Sequence, residues 1–288
     1  MRAIPVVEGH FHKGSSTICY IVHDPESRRA AVIDPVLDFD AASGKTGTAF
    51  ADSVADRVEA LGLTVDWILE THVHADHLSG ARHLKARVGG QIAIGAAIDE
   101  VQASFAKLYN LGPAFHADGA QFDRLWQDGD RFAIGGLSAE VLHTPGHTPA
   151  CVAYVIGDAA FVGDTIFMPD FGTARCDFPG GDAGILFRSI KRILSLPPET
   201  RIFVCHDYAP GGRAHAWETT VADERAANKH VHDGISEADF VAMRQARDKE
   251  LDMPSLLLPA LQVNIRAGRL PEPEDNGVRY LKLPLDQF

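Results

Sequence analysis

Residues 71–77 read THVHADH and follow directly on the apolar run 65–70. His72, His74, Asp76 and His77 therefore leave one strand end together as metal-competent side chains. A strand sends alternate residues to one side, so His72 and His74 face a common point, while the turn at Ala75 redirects Asp76 and His77 toward a neighbouring one. Two adjacent metal positions fit that geometry.

Three later segments offer further donors at strand ends. In 143–149, HTPGHTP, proline and glycine enforce a tight turn and hold His147 at its tip. In 163–167, GDTIF, Asp164 follows the apolar run 159–162 and Gly163 permits close backbone approach. His206 ends the strand-like run 201–205. A lone histidine is ordinarily a surface or hydrogen-bonded core residue, and His10, His12, His23, His83, His116, His143, His215, His230 and His232 are read that way. The set His72, His74, Asp76, His77, His147, Asp164 and His206 differs because each member stands at a strand end beside a turn.

The rest of the chain reads as layered α/β. Runs 17–23 and 29–34 flank a turn at 24–27 as a hairpin. Phe50, Val54, Val58 and Leu61 form a helical stripe that Gly62 stops before the strand 65–70. A helix over 79–88, a strand over 91–94, several β runs between 131 and 162, and a helix carrying Leu186, Ile190, Ile193 and Leu194 follow. Beyond the strand 201–205 come helical stretches at 218–228 and 237–251, then a proline-rich tail, 253–288. Two successive β-rich halves suggest two sheets face to face with helices outside.

Charge and composition exclude several roles. The net charge of −12 is spread along the chain without a lysine and arginine cluster, which argues against nucleic acid. No window approaches the roughly 20 apolar residues of a membrane helix, and the N-terminus lacks a signal peptide's apolar stretch. A cytoplasmic protein without a membrane partner is expected. Cys19, Cys151, Cys176 and Cys205 lack CxxC spacing and are read as reduced thiols, with Cys176 a small packing residue.

With HxHxDH at 72–77 and the later His147, Asp164 and His206, the chain resembles the metallo-β-lactamase superfamily. The resemblance implies an α/β fold of the αββα four-layer sandwich type, a single domain with a C-terminal extension: 1–235 catalytic, 236–288 a helix and tail packed on the core. Segments 170–182 (DFGTARCDFPGGD), 205–208 (CHDY), 218–228 (ETTVADERAAN) and 262–268 (QVNIRAG) resemble the persulfide dioxygenases, also called sulfur dioxygenases, more than glyoxalase II.

That likeness implies one Fe(II) per chain, bound by His72, His147 and Asp164, which form the catalytic centre. His74, Asp76, His77 and His206 then orient ligands and bound water, or in a hydrolase hold a second metal. Two imidazoles and one carboxylate leave positions open for oxygen and sulfur, chemistry closed to redox-inert zinc. The implied reaction converts glutathione persulfide, O2 and water to sulfite and glutathione. Glutathione carries carboxylates, which the resemblance assigns to Arg175 and Arg225, with Asp177 locking the arginine and Tyr208 donating its hydroxyl to the substrate. Two alternatives stay open: a binuclear zinc thioesterase of the glyoxalase II type, with Asp164 bridging both ions, and a noncatalytic persulfide or metal sensor. The apolar run 256–261 can pack on its own core or pair with a second chain, and the expectation leans to a homodimer.

Overall fold

Ile18, Tyr20 and Val22 alternate with Cys19 and Ile21, and all five are buried, so their strand is covered on both faces. The computed structural model, which describes residues 4–287, shows what covers it. The first half runs β1 (Val6–His12), β2 (Thr17–His23), β3 (Arg29–Ile33), β4 (Val36–Asp40), β5 (Lys45–Gly47), α1 (Ala49–Ala60), β6 (Thr64–Leu69), β7 (Leu78–Ser79), α2 (Ala81–Val88), β8 (Gln91–Gly95), α3 (Ile98–Leu108) and β9 (Arg124–Trp126). The second half runs β10 (Arg131–Ile134), β11 (Leu137–His143), β12 (Val152–Ile156), β13 (Ala159–Phe161), α4 (Ala183–Ile193), β14 (Arg201–Phe203), β15 (Glu218–Thr220), α5 (Val221–Ala227), α6 (Glu237–Asp248) and α7 (Leu257–Asn264).

Two six-stranded sheets result, ordered β1-β2-β3-β6-β8-β9 and β10-β11-β12-β13-β14-β15, with a small sheet β5-β4-β7 beside them. Tyr20, Val22, Ile33 and Leu69 of the first meet Val141, Tyr154, Phe161 and Phe203 of the second in the central layer. Outside the first sheet, Val54 of α1, Leu84 of α2, Val101 of α3 and Leu257 of α7 share a core with Cys19 and Ile21. Outside the second, Leu186 and Ile190 of α4, Val221 of α5 and Phe240 of α6 pack together. The expected αββα sandwich is therefore the observed fold. Among the described residues, no helix is long and apolar enough to cross a membrane.

Several elements depart from the sequence reading. Strand β1 and helix α3 were not anticipated, and the 218–228 stretch read as helical opens with β15. Pairing with β14 decides the latter: Arg201, Ile202 and Phe203 align with Thr220, Thr219 and Glu218, and the β-branched threonines suit a strand. Thr220 then caps α5 by accepting from Asp223 N at 3.1 Å. The proline-rich tail contains α7, whose Ala260 and Val263 pack on Leu37 and Leu78.

The strands β3, β6, β8 and β9 run parallel, as do β13 and β14. The candidate residues follow the carboxyl ends of β6, β11, β13 and β14, where open α/β sheets receive ligands. At that edge Ile18 N donates to Cys205 O at 2.7 Å and ties the two sheets together.

Candidate functional site

Asp34 follows β3 with φ +51°, a left-handed backbone that non-glycine residues seldom adopt. Hydrogen bonds hold it there. Its Oδ1 accepts from Thr71 N at 2.7 Å and His74 Nε2 at 3.0 Å, and its Oδ2 accepts from Thr71 Oγ1 at 2.8 Å. Thr71 Oγ1, its one proton given to Asp34, accepts from His72 Nδ1 at 3.0 Å. The lone pair of His72 is thereby left on Nε2. His147 reaches the same state by another route, its Nδ1 donating to the Arg175 carbonyl at 2.7 Å. Burial pushes both imidazoles below their ordinary range, so both are neutral.

Asp164 Oδ2 lies 3.8 Å from His72 Nε2 and 3.7 Å from His147 Nε2. Those separations are too long for hydrogen bonds and suit three donors around one ion with bonds of about 2.0–2.2 Å. Two glycines make the convergence possible. Gly146 has φ +130°, and a Cβ there would lie 2.3 Å from Leu186 N of α4; at Gly163, φ +52°, it would lie 2.6 Å from Thr71 Oγ1.

A second group stands beside the first. Asp76 Oδ2 accepts from His77 Nδ1 and Thr17 Oγ1, both at 3.0 Å. His206 Nδ1 donates to Ser16 O at 3.2 Å, leaving Nε2 3.3 Å from Asp164 Oδ1 and 3.7 Å from Asp76 Oδ2. Burial would raise the Asp76 carboxyl, but the charges of His77 and His206 hold it well below the usual range. Burial would likewise depress His74, yet the carboxylates of Asp34 and Glu70 hold it well above. His74 Nδ1, His77 Nε2 and Asp164 Oδ1 are buried without a hydrogen-bond partner. Buried polar atoms without partners are costly unless something satisfies them. His74, Asp76 and His77 can each bring one ligand atom within 4.8 Å of the others, as can His72, His147 and Asp164, so the donor set fits a bound metal.

A cavity of about 480 Å³ opens onto this edge, with Asp76, His147, Asp164 and His206 among its lining residues. That volume lies within the range of roughly 300–1,000 Å³ typical of small-molecule sites. Phe167, Phe171, Phe178 and Tyr208 form its apolar wall. Tyr208, 46% exposed, packs on Phe171 with ring centroids 4.6 Å apart. Arg175 also lines the cavity, gripping Asp177 through Nε at 2.6 Å and Nη2 at 2.7 Å.

Five sequence-predicted residues do not line this cavity: His72, His74 and His77, which are buried in the histidine cluster, Asp177, which holds Arg175, and Arg225. Arg225 alone of the five touches neither the cluster nor a lining residue's fork. It stands on α5 with Nε 3.0 Å from Asp233 Oδ2, its charge already paired at the surface. Cys176 donates to Asp248 Oδ2 at 3.3 Å, and burial pushes its thiol up to about 12, so it stays protonated.

Sequence reasoning missed the residues that hold the site. Asp34 and Glu70 end strands and looked like ordinary strand termini. Asn264 of α7 donates Nδ2 to His74 O and His77 O, both at 2.8 Å, while its Oδ1 accepts from Ser79 N at 2.7 Å. It lies in the QVNIRAG segment, whose sequence carries no local signal of this clamp.

Residues 13–206 match the metallo-β-lactamase superfamily. The chain belongs to that superfamily. Within it, the chain is 61% identical over 290 residues to a probable metallo-hydrolase of Burkholderia pseudomallei (strain 1710b), covering 97% of this chain and 99% of that protein. It spans 65% of the length of the β-lactamase hydrolase-like protein of Xylella fastidiosa (strain 9a5c), with 56% identity over 282 residues and 98% of this chain covered. The mitochondrial persulfide dioxygenase ETHE1 of Homo sapiens is 32% identical over 262 residues, with 90% and 87% of the two chains covered. The crystal structure of ETHE1 from Myxococcus xanthus superposes with a TM-score of 0.73 at 29% identity, covering 92% of this chain and all of that one.

Proposed function

We propose that the protein is an iron-dependent persulfide dioxygenase that converts glutathione persulfide, O2 and water to sulfite and glutathione. The observation that carries this reading is the approach of the Asp164 carboxylate to two neutral imidazoles, His72 and His147, at the floor of a cavity walled by the 170–182 segment. Likeness to the human and Myxococcus xanthus proteins over most of the chain supports it. Residues 1–235 then form the catalytic domain, and 236–288 complete the cavity wall.

Fe(II) held by His72, His147 and Asp164 supplies a redox change and open positions for oxygen and sulfur, which zinc lacks. The remaining work falls to side chains. Thr71 and the Arg175 carbonyl fix the tautomers of His72 and His147, so both keep a lone pair directed at the site. Phe167, Phe171 and Phe178 give the reacting sulfur an apolar wall that limits bulk solvent around it. Asp76, held ionised and open to the cavity, accepts from His77 and Thr17 and so fixes their orientation beside the reacting group. Tyr208 directs its hydroxyl toward the substrate's thiol or peptide.

Iron-loaded protein given glutathione persulfide should consume O2 and form sulfite in equal amounts. Absence of O2 uptake in an iron-replete preparation contradicts the proposal. One observation favours a second reading: the orphaned His77 Nε2 and His74 Nδ1 are further donors of the kind that a binuclear zinc thioesterase uses. Oxygen-independent hydrolysis of S-lactoylglutathione by zinc-loaded protein would select that reading.

A further inference from the structure

Three arginines line the cavity, and two of them are already neutralised. Arg244, 1% exposed, gives Nε and Nη2 to Asp248 Oδ1 at 2.8 and 2.7 Å, and Nη1 to Thr173 O at 3.1 Å. Arg175 spends its fork on Asp177 and its third nitrogen, Nη1, on Asp252 O at 2.6 Å. Arg247 is different. Among the described residues it has no carboxylate within 4.0 Å and no side-chain hydrogen bond. Asp252 lines the same cavity without pairing with it.

Arg247 stands three residues after Arg244 on α6, on the same helix face. The buried Arg244–Asp248 pair fixes that face against the irregular 173–176 segment of the cavity wall, through Thr173 O and Cys176 N. Beside it, Lys229 Nζ sits over the ring of Phe171 at 5.2 Å, also without a carboxylate partner among the described residues. Desolvation and then the nearby charge of Arg247 push the Lys229 ammonium down, against the opposing pull of Asp170. Arg247 on the cavity wall, with Lys229 behind it over the lining residue Phe171, makes a local positive field that draws an anion in a chain of net charge −12. Of the lining aspartates, Asp76 and Asp164 belong to the metal-binding group that follows β6 and β13, whereas Arg247 stands on α6 and Asp252 just after it. A carrier with its sulfur at one end and carboxylates at the other is oriented by that separation.

We infer that Arg247, assisted by Lys229, binds a carboxylate of the thiol carrier and so selects persulfides of acidic peptides over those of uncharged thiols. The inference rests on the persulfide reading of the cavity. It assigns carboxylate recognition to α6, in place of the surface-paired Arg225 and the Asp177-bound fork of Arg175. An arginine fork free of an internal carboxylate can make the paired charge-assisted bonds that such a group offers.

The test uses S-methylglutathione, which carries both carboxylates and cannot be oxidised at a persulfide, and its dimethyl ester, which carries neither charge. Binding of each to metal-loaded wild type, R247A and R247K is measured by calorimetry, alongside KM and kcat for glutathione persulfide. Wild type should bind the acid at least tenfold tighter than the ester. R247A should lose that preference, R247K should regain part of it, and in R247A KM should rise about tenfold with kcat little changed. Equal affinity of wild type and R247A for the acid overturns the inference, as does a matching loss for acid and ester. An Arg247-dependent preference for the acid in a protein that takes up no O2 with glutathione persulfide leaves this subsite standing and removes the dioxygenase reading.

Discussion

The histidine-bearing floor of the cavity and the wall that faces it are held by different kinds of contact. On the floor, His72, His74, His77 and His206 are each at most 2% exposed, and their orientation traces to buried partners: Asp34, Thr71, Glu70, Thr17 and Asn264. On the opposite wall, Arg175, Tyr208 and Arg247 are held by partly exposed pairs and aromatic packing, or by nothing internal. Buried networks over-determine geometry, whereas exposed pairs leave side chains adjustable. On the proposed function, the chemistry belongs to the rigid floor and the choice of substrate to a wall that can be retuned without disturbing it.

The comparison predicts the largest losses on the floor. Asp164→Ala should release the metal and lower O2-dependent turnover by more than the roughly 100-fold that loss of an outer hydrogen-bonding partner can cost. Metal analysis of the purified variant checks this, and full metal retention would remove Asp164 from the ligand set. Asp34→Ala touches no substrate, yet should destabilise the fold by about 3–5 kcal/mol, because it leaves the buried His74 without its principal carboxylate. Urea unfolding reads that change; Asp34→Asn, which keeps the shape and tolerates the left-handed backbone, should lose less.

On the wall the expected effects are smaller and conditional on pH. Glu224, behind the Phe171 loop, donates nothing itself; its Oε2 accepts from Asn228 Nδ2 at 2.7 Å, and Asn228 in turn donates to Gly172 O. Burial pushes its carboxyl up to about 8. The folded state therefore holds this proton more tightly than the unfolded chain, whose value is 4.5. The stabilising contribution is complete below that unfolded value and falls as pH climbs through about 8. Unfolding midpoints at pH 6 and pH 9 should show a drop that Glu224→Gln flattens, and an unchanged drop would place the titration elsewhere. The smallest effect belongs to Arg225→Ala, which breaks a surface pair and should leave both stability and KM for glutathione persulfide unchanged. A severalfold rise in KM would return Arg225 to the substrate site.

The same contrast explains what the sequence disclosed. Histidines and aspartates directly after apolar strands are a local signal, so the clustering of seven candidate donors and the four-layer sandwich were legible. Asp34 was not, because its role depends on a left-handed turn and on partners around Thr71 and Cys205, far along the chain. Asn264 reaches back 190 positions to His74, a contact that no periodicity encodes. Arg247 resembles any solvated charge on an amphipathic helix until the cavity beside it is visible, and the fork of Arg175 looks free until Asp177 is seen to fill it. The strand at 218–220 needed β14 as a partner, so its local helix-like pattern lost to tertiary pairing.

Metal content decides the central claim most directly. Protein prepared without oxygen should be fractionated by O2-dependent sulfite formation, and the iron and zinc in each fraction counted against chain concentration. Activity should rise linearly with iron and saturate at one iron per chain, with zinc negligible in the best fraction. Peak activity at two metals per chain, or in fractions carrying zinc and no iron, would contradict a lone redox ion between His72, His147 and Asp164.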